Sequence, residues 1–569
     1  MMKIILCSSL VFLAFIIPIQ SSAQTFQWLE GMGGISSAIN PGADEMVRDI
    51  ATDAQGNLYA CGRIRQYAEF SGVSVTTYGD YDIFLAKYNC HGDLVWVRTA
   101  GGLNGDDSFS LVLNSSGQIY LTGSIDSDPM YPVTFFDTVL TTEPTRDMFL
   151  AKFDTSGNFI WGKFAGPGTQ NTFAQGFDIE LDTNENPVVQ ISTAVPGILF
   201  PGWNVVIAPY IAKFDTSGTL QQLFTFSSNY SLGSTDFKID SQNNYYITGY
   251  WEADSVILGN QVYYNPKPGM TVIGYVSKFT TTGTMVWNYM FTDTTTGPAG
   301  TRPWSLAVDN NDNVLVTGKT TAGLKCGNFT FTNSPGFNVV IPFLFKLNPL
   351  GQPLWATQGF QQYISYSRGG VSLKSNGNAV FSSAYRGMAI FNNDTLTQSF
   401  NGSQDLFLAE VDPNGQMLGA VRLGCTGNSA ETYATVTDSL DNVYLGGTFN
   451  AVLSTNGVSI SNSGGSTDGF IAKYGTICTT GIEDEIKNEN SLLHVYPNPV
   501  NNLLNISLYD ESATTITILN TLGQTVFTQK LSPHNQELLQ VDVTSFPSGF
   551  YIIQVKGNMN SVTAKFVKE

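Results

Sequence analysis

The chain has 569 residues, a net charge of −19, only 13% charged residues and 12% aromatics. That length exceeds one ordinary hydrophobic core unless repetition lets the core grow by units. The acidic balance repels phosphate backbones and anionic lipid, so nucleic acid is excluded as an expected partner. Plentiful Gly, Thr, Ser and Asn beside the aromatics is the balance of an all-β protein with many polar turns.

Residues 1–23 read as a secretory signal peptide. Lys3 supplies the positive start, and the apolar stretch from Ile4 to Ile19 is interrupted by Pro18 and shorter than the ~20 residues of a membrane span. Small residues at Ser21 and Ala23 suit cleavage after Ala23, and Cys7 sits too early to serve as a lipid-attachment cysteine. The strand-like Phe26-Gln-Trp28-Leu29 that follows has no partner nearby in the sequence.

From Asp82 the phrase Asp-Ile-Phe-Leu-Ala-Lys87-Tyr88, with Gly92 and Trp96 beyond it, returns at a period of about 64 residues. Its copies run Asp147 to Trp161, Tyr210 to Phe224, Tyr275 to Trp287, Phe343 to Trp355, Asp405 to Gly419 and a truncated Asp468 to Tyr474. A second phrase precedes each copy, clearest as Ser305 to Asp309, a turn over Asn310 to Asn313, and Val314 to Gly318. β-formers on both sides of an Asp/Asn/Gly cluster predict a hairpin. Four core strands per period and seven periods predict a seven-bladed β-propeller over residues 24–478. The strand around Trp28 is expected to complete the truncated seventh copy and so close the ring and remove its open sheet edges.

The phrases Asp53-Ala-Gln-Gly-Asn57-Leu-Tyr59 through Gly62, and Asp147 through Trp161, resemble the bacterial β-propeller repeat of secreted surface proteins. The resemblance implies the scaffold and leaves the ligand open.

Several residue sets in the body are candidates for chemistry. Lys87, Lys152, Lys213, Lys278, Lys346 and Lys473 suggest a ring of cations, but Glu410 breaks it, and one lysine per blade fits a structural pair with an Asp of a neighbouring strand, holding blade to blade. Turns such as Asp309 to Asn313, Asp182 to Asn186 and Asp53 to Asn57 suggest calcium, yet each lacks the Gly or distal Glu of a full calcium loop. No cofactor or metal is therefore expected. His91 stands alone in a turn, no nucleophile motif is present, and catalytic residues are expected to be none. A glycosidase-like reading would need nonrepeating carboxylates such as Glu69, Glu143 and Asp254. The segments that differ between copies carry Tyr131, Phe135, Phe136, Trp251, Tyr263 and Tyr264, which either form a recognition surface for sugars or proteins or pack on the blade edges. Cys61, Cys90, Cys326, Cys425 and Cys478 are odd in number, so at least one thiol stays unpaired.

Residues 479–493 form a polar, acidic linker. Beyond it, six short strands between Leu503 and Val567 predict a small β-sandwich over residues 494–569. Tyr496-Pro497-Asn498-Pro499, Asn502-Leu503, the turn at Gly523, Gly549-Phe550-Tyr551 and Lys565 resemble, in order and place, the type A C-terminal sorting domain of the type IX secretion system of the Bacteroidota. The resemblance implies that these residues are read by the secretion machinery, that a surface sortase removes the domain, and that the protein is secreted or held at the outer-membrane surface. A binding or adhesion module with a glycan or protein ligand is the expected function, with a polysaccharide-active surface enzyme or a structural coat protein as alternatives. Aromatics and amides at a mouth of the central channel would mark a binder, and unique carboxylates or His there an enzyme.

Overall fold

In the computed structural model the chain is β throughout, with no helix among the described residues. These are residues 24–478, without 35–43, 128–132, 137, 141–144, 166–173, 194–196, 201–202, 206, 228–231, 266–270, 294–298, 322–323, 333–339, 364, 366, 456 and 465, and residues 493–568, without 497–499, 509–512, 521–522, 531–537 and 558–560. The expected signal peptide, and the expected linker except Leu493, lie outside them. Contacts divide the chain into Met1–Ile477 and Cys478–Glu569, here the body and the C-terminal domain.

In the body a module of four antiparallel strands recurs. The fifth module pairs Ala299–Val308, Val314–Thr321, Val340–Leu347 and Pro353–Gln358 in that order. Val340–Leu347 is buried at every position, as its unbroken apolar run requires of a strand covered on both faces. The first strands of the other modules are Met46–Thr52, Asp107–Leu113, Ala174–Leu181, Leu232–Ile239, Val371–Leu373 and Ala430–Thr437. Their fourth strands are Leu94–Ala100, Phe159–Ala165, Leu220–Thr225, Met285–Asp293, Met417–Cys425 and, for the seventh module, Thr25–Gly33. This N-terminal strand pairs antiparallel with Asp468–Gly475 and sets Trp28 opposite Lys473. The register is the one that sets Trp96 opposite Lys87 and Trp355 opposite Lys346.

The Asp/Asn/Gly clusters make the first hairpin of each module. Asp309 accepts the backbone N–H groups of Asn311 and Asn313 through one carboxylate oxygen, and Asp312 takes a left-handed φ of 60°. Gly56, Gly117 and Gly377 hold the equivalent left-handed position in three other modules, and Asn243 and Asp441 in two more, the residue types that tolerate it.

Neighbouring modules are joined by an aromatic side chain seated on a glycine. Trp96, Trp161, Phe224, Trp287 and Trp355 lie over Gly157, Gly218, Gly283, Gly351 and Gly415 of the following module, and Trp28 lies over Gly92 of the first. A Cβ on any of these glycines would stand 2.5–3.0 Å from the ring system or a neighbouring side-chain atom. Trp28, Trp287 and Trp355 also donate their indole N–H to carbonyls of Cys90, Pro349 and Pro413 in that next turn. Around this contact each hydrophobic cluster of the body draws on two successive modules. Phe291, Phe343 and Phe345 belong to one such cluster, shared by modules four and five. Modules seven and one share another through Trp28, Met32, Val47 and Tyr444. Each fully buried Leu, Val or Phe contributes roughly 1.5–3 kcal/mol.

The unequal segments between the second and third strands form hairpins that cover edges. Leu324–Cys326 pairs with the fourth strand of module four, Val452–Thr455 with that of module six, and the extension around Phe70 with that of module seven. They cover an outer strand that would otherwise offer unpaired N–H and C=O groups. This is why Phe135 and Phe136 are buried in the core, while Trp251 is buried at the end of its module's second strand. Tyr264 is exposed, Tyr263 is half-buried, and Tyr131 lies outside the described residues.

The C-terminal domain packs a three-stranded sheet, Leu493–Tyr496, Leu503–Leu508 and Leu538–Asp542, with a four-stranded one of Ala513–Asn520, Thr525–Lys530, Gly549–Gly557 and Ser561–Lys568. Leu504, Ile506, Ile516, Ile518, Ile553 and Phe566 form its core. The strand Leu493–Tyr496 adds to the six read from the sequence, because Val495 pairs with Ile506 on the apolar face.

The aromatic–glycine seat predicts a difference between two glycines with nearly equal backbone geometry. Gly415 has φ +89° and a Cβ position 2.7 Å from Trp355, whereas Gly402 has φ +86° and nothing within 4 Å. Gly402→Ala should cost about 1 kcal/mol from backbone strain alone, and Gly415→Ala about 3 kcal/mol, measured as the urea midpoint of the full chain.

Candidate functional site

The first strands of all seven modules line one cavity of about 700 Å3. Six of them carry a β-bulge at the same place. The register slips between Val47 and Asp49, Ser108 and Ser110, Gly176 and Asp178, Ser234 and Asp236, Pro303 and Ser305, and Thr432 and Ala434. The residue left unpaired is Arg48, Phe109, Phe177, Thr235, Trp304 or Tyr433, and every one of these lines the cavity. A bulge re-aims a side chain that the pleat would otherwise turn elsewhere, so one backbone device, repeated, gathers these six groups into a belt.

The belt is continuous. Phe177 packs on Phe109 with ring centroids 5.2 Å apart, and the Arg48 guanidinium lies 5.1 Å from Phe109 and 5.9 Å from Tyr433. Arg368 lies 5.7 Å from Tyr433 and 5.9 Å from Trp304. Trp304 meets Tyr250 edge-on at 5.7 Å. Phe177, Thr235 and Arg368 also line an adjoining recess of about 580 Å3, and Phe177 and Arg368 are exposed, so the belt stands at the cavity's mouth.

Next along the same strands come carboxylates that join module to module. Asp49 accepts the N–H of Leu111 at 3.0 Å, Asp178 that of Phe237 at 3.1 Å and Asp236 that of Leu306 at 2.6 Å. The Ser110 hydroxyl lies 2.8 Å from Asp49 and 2.9 Å from Asp178. One hydroxyl hydrogen serves one of these contacts, so the other needs a protonated carboxyl. Asp178 is that acid, since burial raises its pKa well above the usual range and the Asp236 and Glu180 charges add to this against the opposing charge of Lys238. Burial likewise pushes Asp49 up to about 6. Lys238 pairs with Glu180 and, at 3.3 Å, with Asp236. Burial opposes its charge, but the Asp236, Glu180 and Asp178 carboxylates outweigh burial and hold its pKa well above the ordinary value.

The recurrent lysines are not at this site. Lys213, Lys278 and Lys346 pair with Asp182, Asp240 and Asp309 at 2.6, 2.9 and 2.8 Å. Each of these pairs lies within one module, between the first turn and the third strand, not from blade to blade as expected, whereas Lys473 does reach the next module, donating to the Cys90 carbonyl at 3.3 Å. The next module is reached by the tryptophan opposite the lysine. Burial disfavours charge on Asp309, but Lys346, Asn313 and the turn's N–H groups outweigh it and hold the carboxyl below its ordinary range. The carboxylates that suggested calcium are thus satisfied by a cation the chain supplies itself. In module six the polarity is inverted: Lys374 occupies the turn and pairs with Glu410 at 2.6 Å, so Glu410 preserves the pair it seemed to break.

His91 sits in the Asn89 to Asp93 turn, where its N–H donates to Asn89. It does not line the cavity, nor do Glu69 and Asp254, which are exposed, and Glu143 lies among residues whose side chains are not described. Cys61, Cys326 and Cys425 are free and buried. The sequence reading passed over the belt and also Lys319, whose buried ammonium donates to the carbonyls of Ser365 and Ala384 at 2.7 Å and so ties module five to six. Desolvation pushes this amine down to about 7.

In the C-terminal domain Asn502 and Leu503 are exposed, and Gly523 forms an open turn with φ +76°. Tyr551 is buried, stacks on Phe566 at 5.2 Å and donates its hydroxyl to Pro547. Gly549 opens a strand to which Tyr551 and, across the pairing, Lys565 contribute, and Tyr496 closes the strand Leu493–Tyr496. Pro497, Asn498 and Pro499 lie outside the described residues.

Residues 494–569 match the family of secretion system C-terminal sorting domains. The protein therefore carries a type IX sorting domain, which directs it to secretion or the outer-membrane surface and implies an encounter with that secretion machinery. Among the described residues no helix is long and apolar enough to cross a membrane. An uncharacterized WD repeat-containing protein of Acanthamoeba polyphaga mimivirus is 21% identical over 332 residues, 48% of this chain and 24% of the relative. The regulatory protein FlaEY of Caulobacter vibrioides is 23% identical over 216 residues, 36% of this chain and 22% of the relative. The chain thus spans about a quarter of the length of these curated relatives. Similar solved structures include the WD40 domain of Neurospora crassa Pan2, at 10% identity and a TM-score of 0.36 over 79% of this chain and 97% of that one. Another is an ulvan lyase, at 10% identity and a TM-score of 0.36 over 71% of this chain and 92% of that one.

The inverted pair predicts that Lys374→Asp or Glu410→Lys alone destabilises the full chain by about 2 kcal/mol. The double swap, which restores the polarity of the other modules, should recover most of the loss in urea unfolding. A second expectation concerns pH. Asp49 titrates higher folded than unfolded, so its contribution is fully present below about pH 4 and is lost as pH rises through about 6. Asp49→Asn keeps an acceptor for Leu111 without this loss, and should gain on the order of 2 kcal/mol on the wild type between pH 4 and pH 8, read from unfolding midpoints at both values.

Proposed function

We propose that the body is a seven-bladed β-propeller closed by its N-terminal strand and that it acts as a binding module at the cell surface, with its ligand at the belt-lined mouth of the central cavity. Support for the ring comes from the strand that each module contributes to that cavity, from the hydrophobic cluster joining modules seven and one, and from Trp28 on Gly92. The observation that carries the binding reading is the belt itself. Rings and guanidinium planes presented half-exposed on a rigid frame suit a ligand with flat apolar faces and polar edges, which is the surface of a pyranose sugar. The carboxylates behind the belt are occupied in joining modules, which favours binding over hydrolysis.

The domains are read as a signal peptide over 1–23, the propeller over 24–478, a linker over 479–493 and the sorting domain over 494–569. In the sorting domain the exposed Asn502, Leu503 and Gly523, with the Tyr496 to Pro499 segment, Gly549 and Lys565, are the elements offered to the secretion machinery and a surface sortase. Tyr551 supports them from the core.

A glycan array probed with the mature full-length protein tests the binding reading. Saccharide capture that falls at least about tenfold in Phe109→Ala/Trp304→Ala is the expected result. Capture of no saccharide, or capture unchanged by the double variant, would remove the mouth as the ligand site, and turnover of a captured glycan would make the protein an enzyme.

A further inference from the structure

Of the arginines in or beside the belt, two are neutralised and one is not. Arg48 is paired with Asp107 at 2.7 Å, and Arg302, beside Tyr250, is paired with Glu252 at 3.2 Å. Arg368 is exposed, is held between the Trp304 and Tyr433 rings, and has no carboxylate partner among the described residues. Contact with two rings restrains its guanidinium while leaving it without a carboxylate, and a guanidinium recognises a carboxylate or sulfate in two parallel hydrogen bonds. An unpaired arginine held in place on a chain of net charge −19 is a local reversal of sign.

One further feature bears on the same spot. Deeper in the cavity, Glu180 and Asp236 pair with Lys238, two carboxylates against one base. An anionic chain is repelled from that interior and lies across the mouth instead of threading the channel.

We propose that the mouth selects an acidic saccharide, with sugar faces on Trp304, Phe109 and Phe177 and a carboxylate or sulfate on Arg368. This rests on the reading of the mouth as a saccharide site and names the class of sugar it takes. Tyr433 contributes its face only, because its hydroxyl donates to Glu431 at 3.0 Å.

Calorimetric titration of the mature full-length protein with matched oligosaccharides tests the selection. The probes are an oligogalacturonate, the same oligomer with its carboxyl groups reduced to alcohols, and a sulfated galactan oligomer of equal length. Binding of at least one anionic probe about tenfold or more tighter than the reduced one is expected. Arg368→Gln should remove that preference and Arg368→Lys should keep part of it. The two anionic probes tell a uronate reader from a sulfate reader. Equal binding of charged and reduced oligomers, unchanged in Arg368→Gln but lost in Trp304→Ala, would overturn the acidic selection and leave the mouth standing as a saccharide site. Binding that survives both Arg368→Gln and Trp304→Ala, or no binding by any probe together with an empty glycan array, would overturn both. Unchanged unfolding midpoints in the Arg368 variants keep a folding defect from passing as either result.

Discussion

The contact on which the body depends is an aromatic ring lying on a glycine of the next module. It explains why Gly92 and Trp96 recur together in the sequence although they do not touch each other. Gly92 is the seat for Trp28 of one neighbouring module, and Trp96 lies on Gly157 of the other. The glycine is required twice, once for the left-handed turn between the third and fourth strands and once because a Cβ would occupy the ring's place. Lysine, opposite the tryptophan in the same register, anchors its own first turn. The repeated phrase therefore fastens each module internally at one residue and externally at another.

With the modules spaced by that contact, their first strands converge, and what faces the cavity is decided by the bulge. Without it Phe109, Phe177, Trp304 and Tyr433 would follow the period-two alternation of their strands. With it they line a mouth, and the residues after three of the bulges, Asp49, Asp178 and Asp236, bridge to the next module. A structural join and a ligand platform thus occupy adjacent positions on the same strand. The cost of burying three acids is reduced by Lys238, by the backbone N–H groups they accept, and by the proton Asp178 retains.

Much of the fold was legible in the chain because it is written in periodic signals. The hairpin turns, the apolar third strands and the pairing expected of the Trp28 strand all follow from local pattern, and the sorting domain from an ordered set of motifs. The site was less legible for a physical reason. Residues 48, 109, 177, 304 and 433 differ in type from module to module, and a bulge in a short strand leaves no compositional mark comparable to an Asp-Asn or Gly turn. The unequal loops, aromatic-rich and therefore attractive as a recognition surface, instead carry hairpins that pair with the outer strand of the module before. Phe135 is buried by that role.

By itself the sequence determined the repeat, the strand order within each module, the all-β class and the address at the C-terminus, since each is encoded by neighbours in the chain or by a motif in fixed order. Only the tertiary structure decided that Lys374 and Glu410 exchange roles without losing their pair, and that Asp178 and Asp49 meet across Ser110. It also decided that the aromatic and arginine side chains of separate modules form one belt. These are relations between residues dozens of positions apart, brought within a few ångströms by the packing of one sheet on the next, and no local propensity records them.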